Sequence, residues 1–144
     1  MKKKLTKLVR LYLILGALYM LNEGVIHISN IRLTDIASIW PPSAITYASW
    51  MSIFYGSFSI FLSALFFVIQ KGLEKYKQII KLLAVFALFH GSILLFGSLT
   101  VNFNEIYQAS PSLSFWLPSY HLFLLVEVAL LFSFSLLVYF WQKD

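Results

Sequence analysis

Four long apolar runs separated by short polar interruptions make up this chain, over about residues 8–28, 43–69, 79–101 and 120–141. Each is long enough to cross the roughly 30 Å hydrocarbon layer of a bilayer as one helix. Ahead of the first run stand Lys2, Lys3, Lys4, Lys7 and Arg10, followed by an uncharged stretch, Leu11 to Leu21. A signal peptide has the same profile, but here the apolar pattern resumes after Glu23 as Gly24-Val25-Ile26 and no small-x-small cleavage site follows. The pattern therefore predicts a retained span with a basic cytoplasmic anchor. Between Ser29 and Pro42 the polar residues Asn30, Arg32, Thr34 and Asp35 break the run, and Pro41-Pro42 cannot continue a helix from the segment before them. Trp40 in this connection, and Trp116 in the irregular stretch from Asn102 to Ser119, are expected at headgroup depth. Tyr139 and Trp141 are expected in the aromatic belt at the other surface.

Within the second run, Ser49, Ser52, Gly56, Ser59 and Ser63 recur at spacings of 3, 4, 3 and 4, which lays one small-residue seam along one helix face. Lipid tails give helices no hydrophobic reason to associate, so such seams are how neighbouring backbones come close. Tight packing onto the first or third span is the expectation, ahead of a hydroxyl-lined pocket. A weaker series in the third run, Ala84, Ala87, Gly91 and Ser98, could meet that seam.

Composition agrees with the pattern. Of 144 residues, 60% are hydrophobic and 12% charged, against roughly 45–50% and about 25% in soluble domains. The fold class expected is an all-α integral membrane protein, a compact four-helix transmembrane bundle forming a single domain over residues 1–144. Cysteine is absent, which excludes disulfides, thiolate metal sites and thiol redox chemistry. Lys and Arg lie ten to one on one side of the proposed spans, with Arg32 alone on the other. This predicts that both termini are cytoplasmic, and it accounts for the net charge of +5 without nucleic acid.

The polar exceptions within the spans carry the candidate chemistry. Glu23 and His27 are four residues apart and so share a helix face, on which Tyr12, Tyr19 and Asn30 also recur, with Gly16 between the tyrosines. Glu127 lies in the fourth span, His90 near the middle of the third, and His121 at the outer end of the fourth. An ionisable group in hydrocarbon is a functional candidate by default. At ~1.5 Å per residue all five fall in the outer half or the centre, which predicts an outward-facing pocket with Glu23, His27, Tyr19, His90 and Glu127 as ligand-binding residues. The competing reading is a satisfied network: Glu23 bonded to His27 or a tyrosine hydroxyl, Glu127 to a serine of the second span, His90 to another helix, and His121 idle at the rim.

Three classes of function fit. The first is binding of a lipophilic small molecule (a lipid, a sterol-like compound or an amine), with acid/base chemistry on a lipid-like substrate if the protein is an enzyme. Four helices with both ends cytoplasmic and acid and histidine groups in the membrane resemble, in outline, the emopamil-binding and sigma-2-receptor family; the second span here has serines and no carboxylate. The second class is an accessory subunit of a larger respiratory-type membrane complex, contacting haem or quinone. His27 and His121 are the histidine pair of matching depth and the weak candidates for a metal. The third is a proton-coupled transporter acting as a homodimer, since Glu23 in the first of four spans is similar to the small multidrug exporters. Ten basic residues to one argue against the dual insertion those proteins use. No phosphate-cradling glycine loop, HExxH or heptad coiled coil occurs.

Overall fold

The computed structural model describes residues 2–29, 41–101 and 117–143, with backbone alone for 117–121. Among them the chain forms helices α1 (Lys2–Ile28), α2 (Pro42–Ile69), α3 (Lys77–Thr100) and α4 (Leu117–Lys143). At ~1.5 Å per residue these are about 36 to 42 Å long, and each contains a stretch long and apolar enough to span a membrane. The expected connections carrying Arg32, Trp40 and Trp116, and Asn30 at the end of the α1 stripe, lie outside the described residues.

Helix α1 runs further back than its apolar run because Lys2 to Lys7 contain no helix breaker and lysine is a good helix former. Pro41 is extended (φ −61°, ψ 146°) and Pro42 takes the first helical position, where a missing N–H costs nothing. Pro41 also accepts bonds at its carbonyl from Ala44 N (2.9 Å) and Ile45 N (3.2 Å). The turn between α2 and α3 is closed by Gly72 N to Ile69 O at 3.1 Å and Tyr76 N to Gly72 O at 3.0 Å. Its Leu73 points into the core, so the turn is polar on one side only.

Helices adjacent in sequence pair first: α1 packs on α2 and α3 on α4, and a sparser interface joins α1 to α4. The spatial order is α2, α1, α4, α3, with no comparable interface between α2 and α3 among the described residues. The bundle has two unlike ends. At the end bearing both termini, called here the terminal end, Val9, Leu13, Ile69, Leu73, Ile80, Ala84, Val138 and Trp141 make one core to which all four helices contribute. At the opposite, loop end, contacts run pairwise and involve glycines and polar side chains.

Two expectations change here. Trp141 is 1% exposed, and its Nε1 donates to Thr6 Oγ1 at 3.1 Å, so it belongs to the core and not to an aromatic belt. Tyr139, by contrast, is exposed. The Ala84, Ala87, Gly91 and Ser98 face of α3 is buried but meets α4: Ser135 Oγ donates to Ala84 O at 2.7 Å, and the Phe132 ring lies over Gly91. It cannot meet the α2 seam because α1 already occupies that face.

Candidate functional site

The α2 seam and α1 are joined by contacts of backbone against backbone and hydroxyl against carbonyl. Ser63 Oγ donates to Ala17 O at 2.8 Å, and Ser52 Oγ to His27 O at 3.0 Å. Between them Gly56 faces Gly24 so closely that a Cβ on Gly56 would stand 2.8 Å from the Gly24 carbonyl oxygen. Ser59 donates to Tyr55 O within its own helix at 3.0 Å, and Ser49 is half-buried. The hydroxyls of Ser59 and Ser63 are thus already committed to backbone carbonyls, and that of Ser52 stands between the His27 carbonyl and the His27 imidazole. Gly24 escaped the sequence reading because a single glycine in an apolar run has no spacing signal of its own.

Beside this seam lies the acid–histidine pair. Glu23 is buried, 6% exposed, and its Oε2 is 3.6 Å from His27 Nε2. On the other side of the imidazole, Nδ1 is 2.9 Å from Ser52 Oγ, and the Tyr55 ring packs edge-on at 4.7 Å. Ser52 and Tyr55 were not among the expected site residues; Ser52 was visible only as a member of the packing seam. Serine, histidine and glutamate together are the residue types of a nucleophilic triad. Here the serine hydroxyl stands within hydrogen-bond distance of both His27 Nδ1 (2.9 Å) and the His27 backbone carbonyl (3.0 Å), and which of the two takes its single proton follows from the imidazole tautomer.

Across the sparser interface, Tyr19 on α1 meets α4. Its hydroxyl donates to Glu127 Oε1 at 3.4 Å, and its ring lies 6.4 Å from that of Phe123. Glu127 therefore takes a tyrosine of α1 as its partner, where the sequence suggested a serine of α2. Tyr12 packs on Phe134 of α4, ring centroids 5.9 Å apart.

The α1 stripe is consequently not one face. Each step of four residues advances about 40° around a helix, so Tyr19 to His27 by way of Glu23 turns roughly 80° and passes from α4 to α2. Glu23 lies between, within electrostatic reach of both Tyr19 and Glu127. Tyr19, Glu23, His27 and Glu127 are brought together. His90 is not: among the described residues its ring stacks on Phe86 of its own helix, centroids 5.8 Å apart and nearly parallel at 5°. The side chain of His121, and with it the His27–His121 pair, lies outside the described residues. Among the described residues no group of three or more metal-ligating side chains converges.

Compared with protein families, curated proteins and solved structures, the chain matches none. What the site does is accordingly argued from its geometry. Two carboxylates, an imidazole and the Tyr19 phenol are spread over about 12 Å of the α1 axis in the loop-end half of the bundle. One carboxylate is buried in a pair; the other is half-buried at the sparser α1–α4 interface.

Proposed function

We propose that this chain is a multi-pass membrane protein that binds a lipophilic small molecule, most simply an amine, in the loop-end half of the bundle between α1 and α4. The observation that carries this reading is the Tyr19–Glu127 contact. A half-buried carboxylate in hydrocarbon needs a positive or hydrogen-bonding partner, and a single hydroxyl at 3.4 Å occupies only part of its capacity. The Tyr19 and Phe123 rings beside it offer faces to a cation or an apolar body. Glu23, the residue first expected to anchor the ligand, is better suited to support, since it is buried and faces His27.

The test is native mass spectrometry of the full chain in mild detergent, with an absorption spectrum and a titration with dodecylamine. Glu127→Gln is expected to weaken binding about tenfold or more, as fits the ~1.5 to 3 kcal/mol of a hydrogen bond to a charged group. Equal binding by wild type and Glu127→Gln would remove the carboxylate from the site. A Soret band, or stoichiometric partner chains with no small molecule, would favour the subunit reading instead.

Orientation is part of the same proposal. The ten basic residues beside the terminal end favour a cytoplasmic placement of both termini, with the loop end outward. Because the chain has no cysteine, single cysteines at Lys4, Lys75 and Ser29 report sidedness without background. An impermeant thiol reagent applied to intact cells is expected to label position 29 only; labelling at 75 would reverse the orientation.

A further inference from the structure

Two residues of α3 have no use within the chain, and both lie on one stripe. Phe86, His90, Ile93, Gly97 and Thr100 recur at spacings of 4, 3, 4 and 3, the seam spacing of left-handed helix pairs. Phe86, Ile93 and Thr100 are exposed. The first of the two residues is Gly97. The glycines of the other helix contacts are filled from inside the bundle: a Cβ would stand 3.2 Å from the Phe66 ring at Gly16, 2.6 Å from Ile60 Cγ1 at Gly24, 2.8 Å from Gly24 O at Gly56 and 2.8 Å from the Phe132 ring at Gly91. At Gly97 it would meet nothing within 4 Å among the described residues. Glycine weakens a helix interior relative to alanine, yet here no neighbour in the chain needs the space.

The second is His90. Its imidazole is half-buried, and Phe86 covers one ring face. Hydrogen bonds leave from the ring edge, and among the described residues neither ring nitrogen has one. His90 stands about 20 Å along the helix from Lys77 and about 15 Å from Thr100. That is deep inside a hydrocarbon layer roughly 30 Å thick, where neither water nor a lipid headgroup supplies a partner. A second copy of the chain does. The ten basic residues beside the terminal end favour one orientation for every copy, so two α3 helices in one bilayer carry His90 at the same depth. A neutral imidazole has one donor and one acceptor nitrogen in either tautomer. It is therefore complementary to itself, as a contact on a two-fold axis requires. Gly97, two turns further on and about 20° round the helix, lets the two backbones approach.

We propose that the protein is a parallel homodimer joined along this stripe of α3, with His90 bonded across the axis to His90 of the second copy. The proposal rests on the membrane orientation given above and not on a ligand at Glu127. The α3 face that holds α4 through Ala84 and Gly91 is left as it is.

The test uses the cysteine-free chain in lipid vesicles at a low ratio of protein to lipid. Oxidation with copper phenanthroline is expected to cross-link Phe86→Cys, Ile93→Cys and Gly97→Cys, each to itself, at least tenfold faster than Leu88→Cys and Leu99→Cys on the far side of α3. Equal rates at all five positions, or cross-linking of Phe86→Cys to Gly97→Cys in a mixed sample in place of each to itself, overturn the proposal. The dimer dissociation constant is read by energy transfer between copies labelled at Lys4→Cys. His90→Leu is expected to weaken association roughly threefold to tenfold, the worth of one interhelical hydrogen bond in a membrane, and His90→Gln, which keeps a donor and an acceptor, to restore most of it. Gly97→Leu should weaken association further while leaving the melting of the monomer unchanged, since its side chain enters space that the chain leaves open. Association unchanged in both His90→Leu and Gly97→Leu overturns the proposal, as does a monomeric wild type or one whose bound small molecule is lost in His90→Leu.

Discussion

Gly56→Leu is expected to separate α1 from α2 and to cost roughly 3 kcal/mol or more of stability, at or beyond the upper end of ordinary overpacking. A Cβ at this position would already meet Gly24 O and Ile28 Cγ1 at 2.8 Å and Ile28 N at 3.0 Å, before any further leucine atoms are placed. Two of those three obstacles are backbone atoms of a regular helix, which cannot move aside as a side-chain tip can. The reciprocal position is equally tight, a Cβ on Gly24 falling 2.6 Å from Ile60 Cγ1 and 3.0 Å from Gly56 O. Ser63→Ala is the informative comparison. It deletes the 2.8 Å bond to Ala17 O, and interhelical hydrogen bonds in membranes average only about 0.6 kcal/mol. Heating the detergent-purified variants and following the monodisperse fraction should therefore rank Gly56→Leu far below Ser63→Ala. Indistinguishable midpoints would mean that the glycine contact does not hold the pair.

The second large effect is expected at Trp141. Truncation to alanine empties a site in the core to which all four helices contribute, at ~3 to 5 kcal/mol for an aromatic-to-alanine change, and it also removes the bond to Thr6 Oγ1, which keeps its own bond to Lys2 O. Trp141→Phe keeps most of the ring volume and loses the Nε1 donor, so about 1 kcal/mol is expected. The same heating assay separates the two variants. If Trp141→Ala melted with the wild type, the indole would have to stand in the aromatic belt at the membrane surface, as its place near the end of an apolar run first suggested.

The number and approximate bounds of the helices were legible from apolar run length, except that α1 starts six residues ahead of its run, at Lys2 instead of residue 8. The Ser49 to Ser63 seam was legible too, since 3 and 4 spacings mark a helix face whatever lies opposite. What spacing does not encode is the partner. The α2 seam and the α3 series look complementary in sequence, yet each is filled by another helix, one by Gly24 and Ala17 and the other by Phe132 and Ser135. At the site, the Glu23–His27 pair could be read because both members sit on one helix four residues apart. Ser52 and Phe123 could not, because their roles depend on how α2 and α4 are rotated against α1. The α1 stripe failed as a single face for a related reason: a few tens of degrees of drift per turn decides which neighbour a side chain meets.

Pairing between sequence neighbours also orders events in time. The glycine partner of α1 lies on α2 and is available once residue 56 has entered the bilayer, and α3 similarly needs only α4. The Trp141–Thr6 bond, by contrast, spans 135 positions. During synthesis the first helical hairpin thus has its own partner early, whereas the terminal-end core stays incomplete until Trp141 emerges. A nascent chain stalled short of Trp141 would hold two hairpins in the bilayer with the joint between them unfinished, and that species is the one a membrane quality-control protease would meet.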